Sequence, residues 1–228
     1  MDNIELKRIL EIHRVNALFH ANTVLTSISF LKNKGLCSRA YIDKLPDSYQ
    51  THQYSDKDDK AFGIYNDIFF DSVDIHDRAK RNNKYGPVMF VYDLDLLLLP
   101  ELENKVWITK DNPIRWNQSM IPEDKYFMNL DELQNRFHKG CFQQHITLHD
   151  TEKIGFQYLR EIQIDPLPEK YQVIFSKAYV ALTEAVKSID LEIDVTIRQC
   201  SLNCQCQESY KEMYLENIRK MYKTGSEQ

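Results

Sequence analysis

The densest group of side chains that could do chemistry lies in the stretch DIFFDSVDIHDR. It contains Asp67, Asp71, Asp74, His76, Asp77 and Arg78. On an extended strand Asp67 and Asp71 would share one face, because side chains alternate along a strand. The group could contact a nucleic acid through His76 and Arg78, bind a divalent metal, or form a turn with Asp caps. A metal site needs further carboxylates that the sequence does not identify, so the first and third interpretations are favoured.

A second candidate group is formed by cysteines. Cys200, Cys204 and Cys206 lie in the segment RQCSLNCQCQ, and Cys37 and Cys141 are far away in the sequence. The C-x3-C-x-C spacing lacks the paired C-x2-C pattern of zinc sites, and no fourth ligand is evident. Ordinary loop thiols are the preferred interpretation and a zinc site is the alternative, so we expect no metal.

The elements that must position these residues follow from hydrophobic spacing, which predicts a mixture of helices and strands. Thr23 is a plausible cap, and Gly35 a plausible stop, for a helix that follows a short strand. Predicted strands cover residues 17–21, 68–73, 87–92, 106–109, 159–164, 171–175 and 191–197. Predicted helices cover residues 4–15, 23–35, 130–137, 177–186 and 210–221. Two polar loops, residues 39–60 and 139–158, connect these elements and are candidates for function.

Length and composition exclude several classes of protein. The chain has 228 residues, of which 43% are hydrophobic and 28% charged, as is usual for a folded protein with one sizeable core. The net charge of −5 shows that the whole surface is not a counter-ion for nucleic acid. No stretch resembles a signal peptide or a membrane span, and five cysteines suit a reducing compartment. We therefore expect a cytoplasmic protein.

Four segments, in this order, resemble DarT-type ADP-ribosyltransferase toxins, which modify nucleic acid bases. They are LFHANTVLTSISFLKNKGLCSR (18–39), NDIFFDSVDIHDR (66–78), VMFVYDLDLL (88–97) followed by KVWITKDNPIRW (105–116), and YLREIQIDPLPEKYQVIF (158–175). The resemblance implies an α+β fold with the split central β-sheet of ADP-ribosyltransferases, flanked by helices. It implies one domain over residues 1–228, with a core at about 17–200 and a C-terminal helix at 208–222.

The same resemblance implies roles for individual residues in the use of NAD. Glu161 matches the catalytic glutamate that begins a strand, although it could also be a solvated strand-edge residue. His20 would donate to a ribose hydroxyl of NAD, and Asn22 or Thr23 would help hold the adenosine half. Tyr65 would stack on nicotinamide, with a core tyrosine as the alternative. His20 and Glu161 are expected to converge on the same ribose.

Arginine assignments are divided between two positions. Arg39 is expected to hold the pyrophosphate, because a guanidinium group matches phosphate oxygens. The segment QYSDKDDKAFG, near which the family carries a catalytic arginine, contains none. Arg78 is the other candidate for that catalytic role.

The resemblance implies transfer of ADP-ribose from NAD to a base of single-stranded DNA or messenger RNA. Aromatic residues such as Tyr54 would stack on that base, with His76 and Asp67 contacting the substrate. The setting would be a prokaryotic toxin or phage-defence effector that an antitoxin protein silences. Two alternatives stay open, namely a metal-dependent nuclease centred on Asp67, Asp71 and His76, and a non-enzymatic interaction module.

Overall fold

The computed structural model describes residues 1–225, so the end of the predicted domain, residues 226–228, lies outside the described residues. The strands are β1 (Leu18–Asn22), β2 (Leu36–Cys37), β3 (Ile68–Phe70), β4 (Val88–Tyr92), β5 (Val106–Ile108), β6 (Ile146–Leu148), β7 (Lys153–Ile154), β8 (Leu159–Ile164) and β9 (Val195–Ile197). The helices are α1 (Asn3–Ile12), α2 (Val24–Lys32), α3 (Arg39–Ile42), α4 (Asp56–Ala61), α5 (Ile75–Ala79), α6 (Pro122–Lys125), α7 (Leu130–Arg136), α8 (Gln172–Lys187), α9 (Cys206–Glu212) and α10 (Leu215–Tyr222).

A four-stranded sheet with the order β1-β4-β8-β9 forms the centre of the fold. The first three strands are antiparallel and β9 runs parallel to β8. In one row across the sheet, His20 pairs with Phe90, which pairs with Ile162. Because paired residues share a face and successive residues alternate, the next row, Phe19, Val91 and Glu161, belongs to the opposite face.

A second sheet has three strands in the order β3-β6-β5 and adjoins the first at β1. Phe19 and Asp71 exchange two backbone hydrogen bonds, of 3.0 and 2.9 Å, just beyond the end of β3. The two sheets therefore meet along one edge without becoming a single sheet. The predicted α+β fold with a split central sheet is confirmed.

Helices cover the face of the central sheet to which His20 belongs. Helix α2 packs against α8, and the short helix α10 packs on both. The fully buried side chains in this layer include Leu31, Phe90 and Leu182. Within residues 1–225, no helix combines the length and the apolar composition that crossing a membrane requires.

A predicted strand and a predicted helix differ in the structure, and the two predicted loops contain short elements, α3 and most of α4 in residues 39–60 and β6 and β7 in residues 139–158. Residues 171–175 are not a strand but a turn and the first residues of α8, because Phe175, Ala178 and Leu182 recur at helical spacing and are buried. The predicted terminal helix is two short helices, α9 and α10, separated at Met213 and Tyr214. Both bury apolar side chains against the core.

Glycine 35 follows helix α2 for a reason other than the predicted one. The left-handed residue after the helix is Lys34, at a φ of 54°. A Cβ at Gly35 would overlap the backbone oxygen of Ile154 in β7, which pairs with β2. Glycine is therefore required for close contact between two chain segments.

We expect Gly35→Ala to lower the free energy of unfolding by about 1–3 kcal/mol, because the added methyl group must displace backbone atoms. Gly225→Ala is the matched control, since within the described residues the space around a Cβ at that position is open. Denaturant unfolding of both variants measures the difference. Equal stability of the two variants would show that β7 moves away without cost.

Candidate active site

A cavity of about 230 Å³ opens where β1 meets the second sheet. Polar side chains from separate parts of the chain line it together with the apolar Phe19, Phe30 and Phe70. The polar lining residues are His20, Asn22, Thr26, Arg39, Gln50, Gln53, Ser55, Asp59, Tyr65, Asp67, Asp71, Asn83, Tyr85, Asn112 and His145. A mostly preformed, partly apolar cleft with convergent polar groups is the usual form of a small-molecule site.

His20 contributes an unpaired nitrogen to this cavity. Its Nδ1 lies 2.8 Å from the Phe69 carbonyl oxygen, so Nδ1 carries the proton and donates. Burial lowers the pKa of His20, although the hydrogen bond to Phe69 opposes the shift. The ring is therefore neutral at pH 7, and its Nε2 is a buried acceptor without a partner among the described residues.

Arg39 is held by an ion pair with Asp56. Its Nε lies 2.6 Å from Asp56 Oδ1, and its Nη2 donates to Asp56 Oδ2 at 3.0 Å and to the Thr51 carbonyl at 3.1 Å. Within the described residues, its buried Nη1 makes no hydrogen bond. This geometry leaves one guanidinium edge able to bind an anion in the cavity.

Tyr65 lies beside Arg39 on the cavity wall. Its hydroxyl donates to Asp43 Oδ2 at 2.7 Å, and the Lys60 ammonium lies 4.4 Å from its ring centroid. Burial, reinforced by Asp43, raises the pKa of Tyr65 to about 12. The phenol therefore stays protonated, and the ring is fixed at its hydroxyl end.

Asn22 and Thr23, both predicted to hold NAD, shape the start of α2. The Asn22 Oδ1 accepts from the Thr23 backbone N–H at 2.9 Å, and Asn22 lines the cavity. Thr23 does not line it, because its hydroxyl caps α2 by accepting from the Thr26 backbone N–H. The threonine that lines the cavity is therefore Thr26 and not the predicted Thr23.

Two polar residues of DIFFDSVDIHDR, Asp71 and Arg78, form a chain with His145, and Asp71 and His145 line the cavity. Arg78 Nη1 donates to Asp71 Oδ1 at 3.1 Å, and the same oxygen lies 3.4 Å from His145 Nδ1. Burial alone would raise the pKa of Asp71, but His145 and Arg78 hold it below the usual value. Arg78, predicted as the alternative catalytic arginine, does not line the cavity, and its guanidinium positions Asp71 there.

Asp67 and His76, both predicted to contact the substrate, make contacts within the protein, and only Asp67 lines the cavity. The Asp67 side chain is fully buried and accepts from His149 Nδ1 at 3.2 Å and the Asp150 backbone N–H at 2.9 Å. His76 is 3% exposed, and its Nε2 lies 3.1 Å from Asp165 Oδ2, away from the cavity lining. Both side chains are committed to internal contacts.

Glu161 lies on β8 and does not line the cavity. Its Oε1 accepts from Thr196 Oγ1 of β9 at 2.7 Å, and the side chain is partly exposed. The sheet register gives His20 and Glu161 opposite faces, two strands apart. A single ribose inside this cavity cannot contact both, which corrects the expected convergence.

No protein-family model matches the chain, and no curated protein matches it. The solved structure of Thermus sp. 2.9 DarT in complex with ADP-ribosylated single-stranded DNA superposes with a TM-score of 0.53 at 10% identity, covering 81% of this chain and 95% of that chain. The chain has a DarT-like fold. Thermus sp. 2.9 DarT with NAD+ and with carba-NAD+ gives TM-scores of 0.49 and 0.46 at 10% and 9% identity, over 81% of this chain and 96% of that chain.

The DarT-like fold brings together His20, Asn22, Arg39 and Tyr65, four of the five residues that we predicted to bind NAD. The fifth, Thr23, lies behind the cavity wall. Tyr54 is fully exposed, but it stands between two residues of the cavity lining, Gln53 and Ser55. It therefore marks the rim of the cavity.

Sequence reasoning missed several lining residues of this DarT-like fold. Tyr85 lines the cavity and is 50% exposed, and Asn112 Nδ2 donates to His145 Nε2 at 3.0 Å. Tyr85 directly precedes Gly86, and an aromatic residue beside a glycine could have marked it in the sequence as a candidate lining residue. Asn112 and His145 are 33 residues apart in the sequence, and only the pairing of strands shows that they meet.

Asp59 is a further lining residue with a shifted titration. Burial raises the pKa of Asp59 to about 6, against lowering contributions from Ser55 and Arg39. Because the folded-state pKa exceeds the ordinary value of 3.8, the folded protein binds more protons than the unfolded chain between these values. Asp59 therefore reduces stability as the pH rises from about 4 to about 6.

We expect Asp59→Asn to gain stability relative to the wild type as the pH rises through this window, because the amide has no charge to desolvate. The measurement is the difference in the free energy of unfolding between the two proteins at each pH. Asp131→Asn, at an exposed position outside the cavity lining, is the control, and its difference should vary less over this window than that of Asp59→Asn. A constant difference for Asp59→Asn would contradict the assignment.

Proposed function

We propose that the chain is an NAD-dependent mono-ADP-ribosyltransferase, a glycosyltransferase that modifies a base of single-stranded nucleic acid. The observation that carries the proposal is the pair of unpaired buried nitrogens, His20 Nε2 and Arg39 Nη1, in one cavity of a DarT-like fold. A hydroxyl donor and an anionic acceptor would satisfy them. The adenosine ribose and the pyrophosphate of NAD provide both groups.

The residues that hold NAD in this proposal are fixed before the ligand binds. The neutral His20 accepts from a ribose hydroxyl through Nε2 and does not donate to it, since its proton is on Nδ1. Arg39 binds the pyrophosphate with Nη1 while Asp56 keeps its other edge occupied. Such pre-organisation reduces the entropy lost on binding. Tyr65 lies against the same wall and offers an aromatic face to nicotinamide.

Glu161 remains the proposed catalytic carboxylate, but at the other ribose of NAD. Adjacent strands lie about 4.8 Å apart, so β1 and β8 are separated by about 10 Å. NAD contains two riboses, and we assign the adenosine ribose to His20 and the nicotinamide ribose to Glu161. Phe19 supports this assignment, because it lines the cavity and shares a row with Glu161.

The reaction breaks the bond between nicotinamide nitrogen and ribose C1′, and the electron pair leaves with nicotinamide. The oxocarbenium-like ribose then accepts an electron pair from a base nitrogen, which loses its proton. Thr196 occupies Oε1 of Glu161, so Oε2 is left to bind a ribose hydroxyl or receive that proton. A fixed negative charge near C1′ also stabilises the developing positive charge.

Single-stranded DNA is the proposed acceptor, because the DarT structure with the higher TM-score contains it as a product. Tyr54, fully exposed at the rim, would stack on a base, and stacking requires no particular sequence. A base inside a duplex would first have to leave its stack. The proposal extends to a toxin or phage-defence role with an antitoxin partner, and messenger RNA is the alternative acceptor.

The function is tested by incubating the protein with NAD labelled in its adenylate phosphate. The acceptors are a single-stranded DNA of mixed sequence, its duplex and the equivalent RNA, each with and without a chelator. We expect label on single-stranded DNA in both conditions. Label on RNA alone would change the acceptor, metal-dependent cleavage without NAD would indicate a nuclease, and inertness throughout would indicate an interaction module.

We expect Glu161→Gln to lower the transfer rate roughly 10²–10⁴-fold, because the amide keeps the shape and removes the charge and the base. Glu192→Gln is the matched control, since Glu192 is exposed and outside the cavity lining. Initial rates of label transfer measure the effect. Transfer by Glu161→Gln at the rate of Glu192→Gln would remove Glu161 from the mechanism.

Substitutions at the two proposed ends of NAD should affect different steps. The change at His20 should weaken NAD binding, and the change at Glu161 should slow transfer. We expect His20→Ala to weaken NAD binding about 5- to 30-fold, the loss of one buried hydrogen bond of about 1–2 kcal/mol, whereas Glu161→Gln should change it less than about 2-fold. Calorimetric titration with NAD measures both, with His138→Ala as an exposed histidine control. Unchanged affinity in His20→Ala would place NAD elsewhere.

A further inference from the structure

Four side chains that can ligate a metal meet outside the cavity. His76 at the start of α5 lies against Cys200, Cys204 and Cys206, from the segment that leads into α9. Their ligand atoms all lie within 4.8 Å of one another. None of the four lines the cavity, so the cluster is separate from the proposed NAD site.

The distances inside the cluster match a tetrahedral metal centre. Zinc–sulfur bonds of about 2.3 Å and zinc–nitrogen bonds of about 2.0–2.1 Å place two sulfurs about 3.8 Å apart, and a sulfur and a nitrogen about 3.6 Å apart. Cys200 Sγ lies 3.5 Å from Cys206 Sγ and 3.3 Å from His76 Nδ1, and Cys204 Sγ lies 3.6 Å from the same nitrogen. These separations are within a few tenths of an ångström of the expected edges.

The histidine is oriented as a metal ligand. His76 Nε2 faces Asp165 Oδ2 at 3.1 Å, an ion-pair contact that favours the proton on Nε2. A neutral ring then has its lone pair on Nδ1, and Nδ1 is the atom that faces Cys200 and Cys204. A carboxylate behind a ligating histidine fixes its tautomer and raises its basicity, an arrangement that metal-bound histidines commonly have.

The supporting carboxylate is itself fixed on every side. Asp165 is 1% exposed, and besides His76 it accepts from the Tyr210 hydroxyl at 2.7 Å and from Arg198 Nε at 2.6 Å. Arg198 also forms an ion pair with Asp74, the residue that caps α5. The same network therefore fixes the helix that carries His76 and the carboxylate that orients its ring.

We propose that His76, Cys200, Cys204 and Cys206 bind one zinc ion in a closed, structural Cys3His site. Thiolates and an imidazole form a soft, tetrahedral donor set, which favours zinc over the oxygen-binding magnesium and calcium ions. Four protein ligands leave no open position for a catalytic water. Cys200 and Cys204 are partly exposed, so the ion and a chelator can reach the cluster from solvent.

The zinc site joins two distant parts of the chain. Cys200 and His76 are 124 residues apart, and the Gln205 backbone N–H donates to the Lys80 carbonyl beside the cluster at 2.7 Å. The segment thus fixed to α5 continues into α9 and α10, which pack on the core. Zinc would therefore stabilise the packing of the C-terminal helices and act on stability, not on NAD chemistry.

The test uses the full chain without an affinity tag, purified in a phosphine reductant that does not compete for zinc. We expect elemental analysis to find one zinc per chain after gel filtration, and a strong chelator to lower the melting temperature. Refilling the metal-free protein with cobalt(II) should give the visible absorption and sulfur-to-metal charge-transfer bands of a tetrahedral thiolate site. The cobalt spectrum reports ligand type in the wild-type protein and needs no variant.

The variant arm compares Cys204→Ser with Cys141→Ser, which makes the same change at a thiol outside the cluster. We expect at least a ~10-fold loss of zinc affinity in Cys204→Ser, measured by competition with a chromogenic chelator, and no loss in Cys141→Ser. Circular dichroism shows whether each variant is folded. If Cys204→Ser does not fold, the cobalt spectrum of the wild type decides.

Three results would overturn the proposal. One is a folded wild-type protein that neither retains zinc nor gives the cobalt spectrum after refilling. Another is equal zinc affinity in the folded Cys204→Ser and Cys141→Ser variants. The third is a disulfide between Cys200 and Cys206, found by mass spectrometry in protein whose thiols were alkylated at the moment of cell lysis, because sulfurs already joined in the cell cannot ligate zinc.

Discussion

The hydrogen bond from His20 Nδ1 to the Phe69 carbonyl oxygen connects the fold to the candidate site. His20 belongs to the central sheet and Phe69 to the second sheet, so this contact reinforces the backbone bridge at which the two sheets meet. It also places the ring proton on Nδ1 and leaves Nε2 as an acceptor inside the cavity. One interaction thus holds the sheets together and determines what the histidine can bind.

The acids of the cluster that dominates the sequence are used mainly for positioning. Asp67 receives hydrogen bonds from the loop after β6, Asp71 binds Arg78 and His145, and Asp74 caps α5. Buried carboxylates need such partners, because an isolated buried charge is costly. A high local density of acids therefore reflects the demands of the junction between the sheets more than a metal site of oxygen ligands.

The parts of the fold that could be predicted depend on local chemistry. Thr23 identifies the start of α2 because a threonine cap acts within three residues, and the alternation in residues 159–164 identifies β8. Residues 171–175 were predicted as a strand because tyrosine, valine, isoleucine and phenylalanine favour strands. They begin a helix instead, because the apolar residues that the helix buries lie further along the chain.

The candidate site was predictable only in part, because it depends on which segments pair. Whether His20 and Glu161 share a face is decided by the register of β1 on β4 and of β4 on β8, and a shift of one residue would reverse it. The fourth ligand of the cysteine cluster, His76, is likewise invisible from the spacing of the cysteines. Both facts arise from contacts between residues that are far apart in the sequence.

The short segment that anchors Arg39 also carries Tyr54. Thr51 and Asp56, which bind the Arg39 guanidinium, lie on either side of this exposed tyrosine. A pyrophosphate bound to Arg39, as proposed, would be connected through these two residues to the backbone that presents the aromatic ring. Under the proposed function, NAD affinity and acceptor affinity would be thermodynamically coupled, and by linkage each ligand would change the affinity for the other by the same factor. Because the coupling is reciprocal, either ligand would prepare the site for the other, whichever binds first.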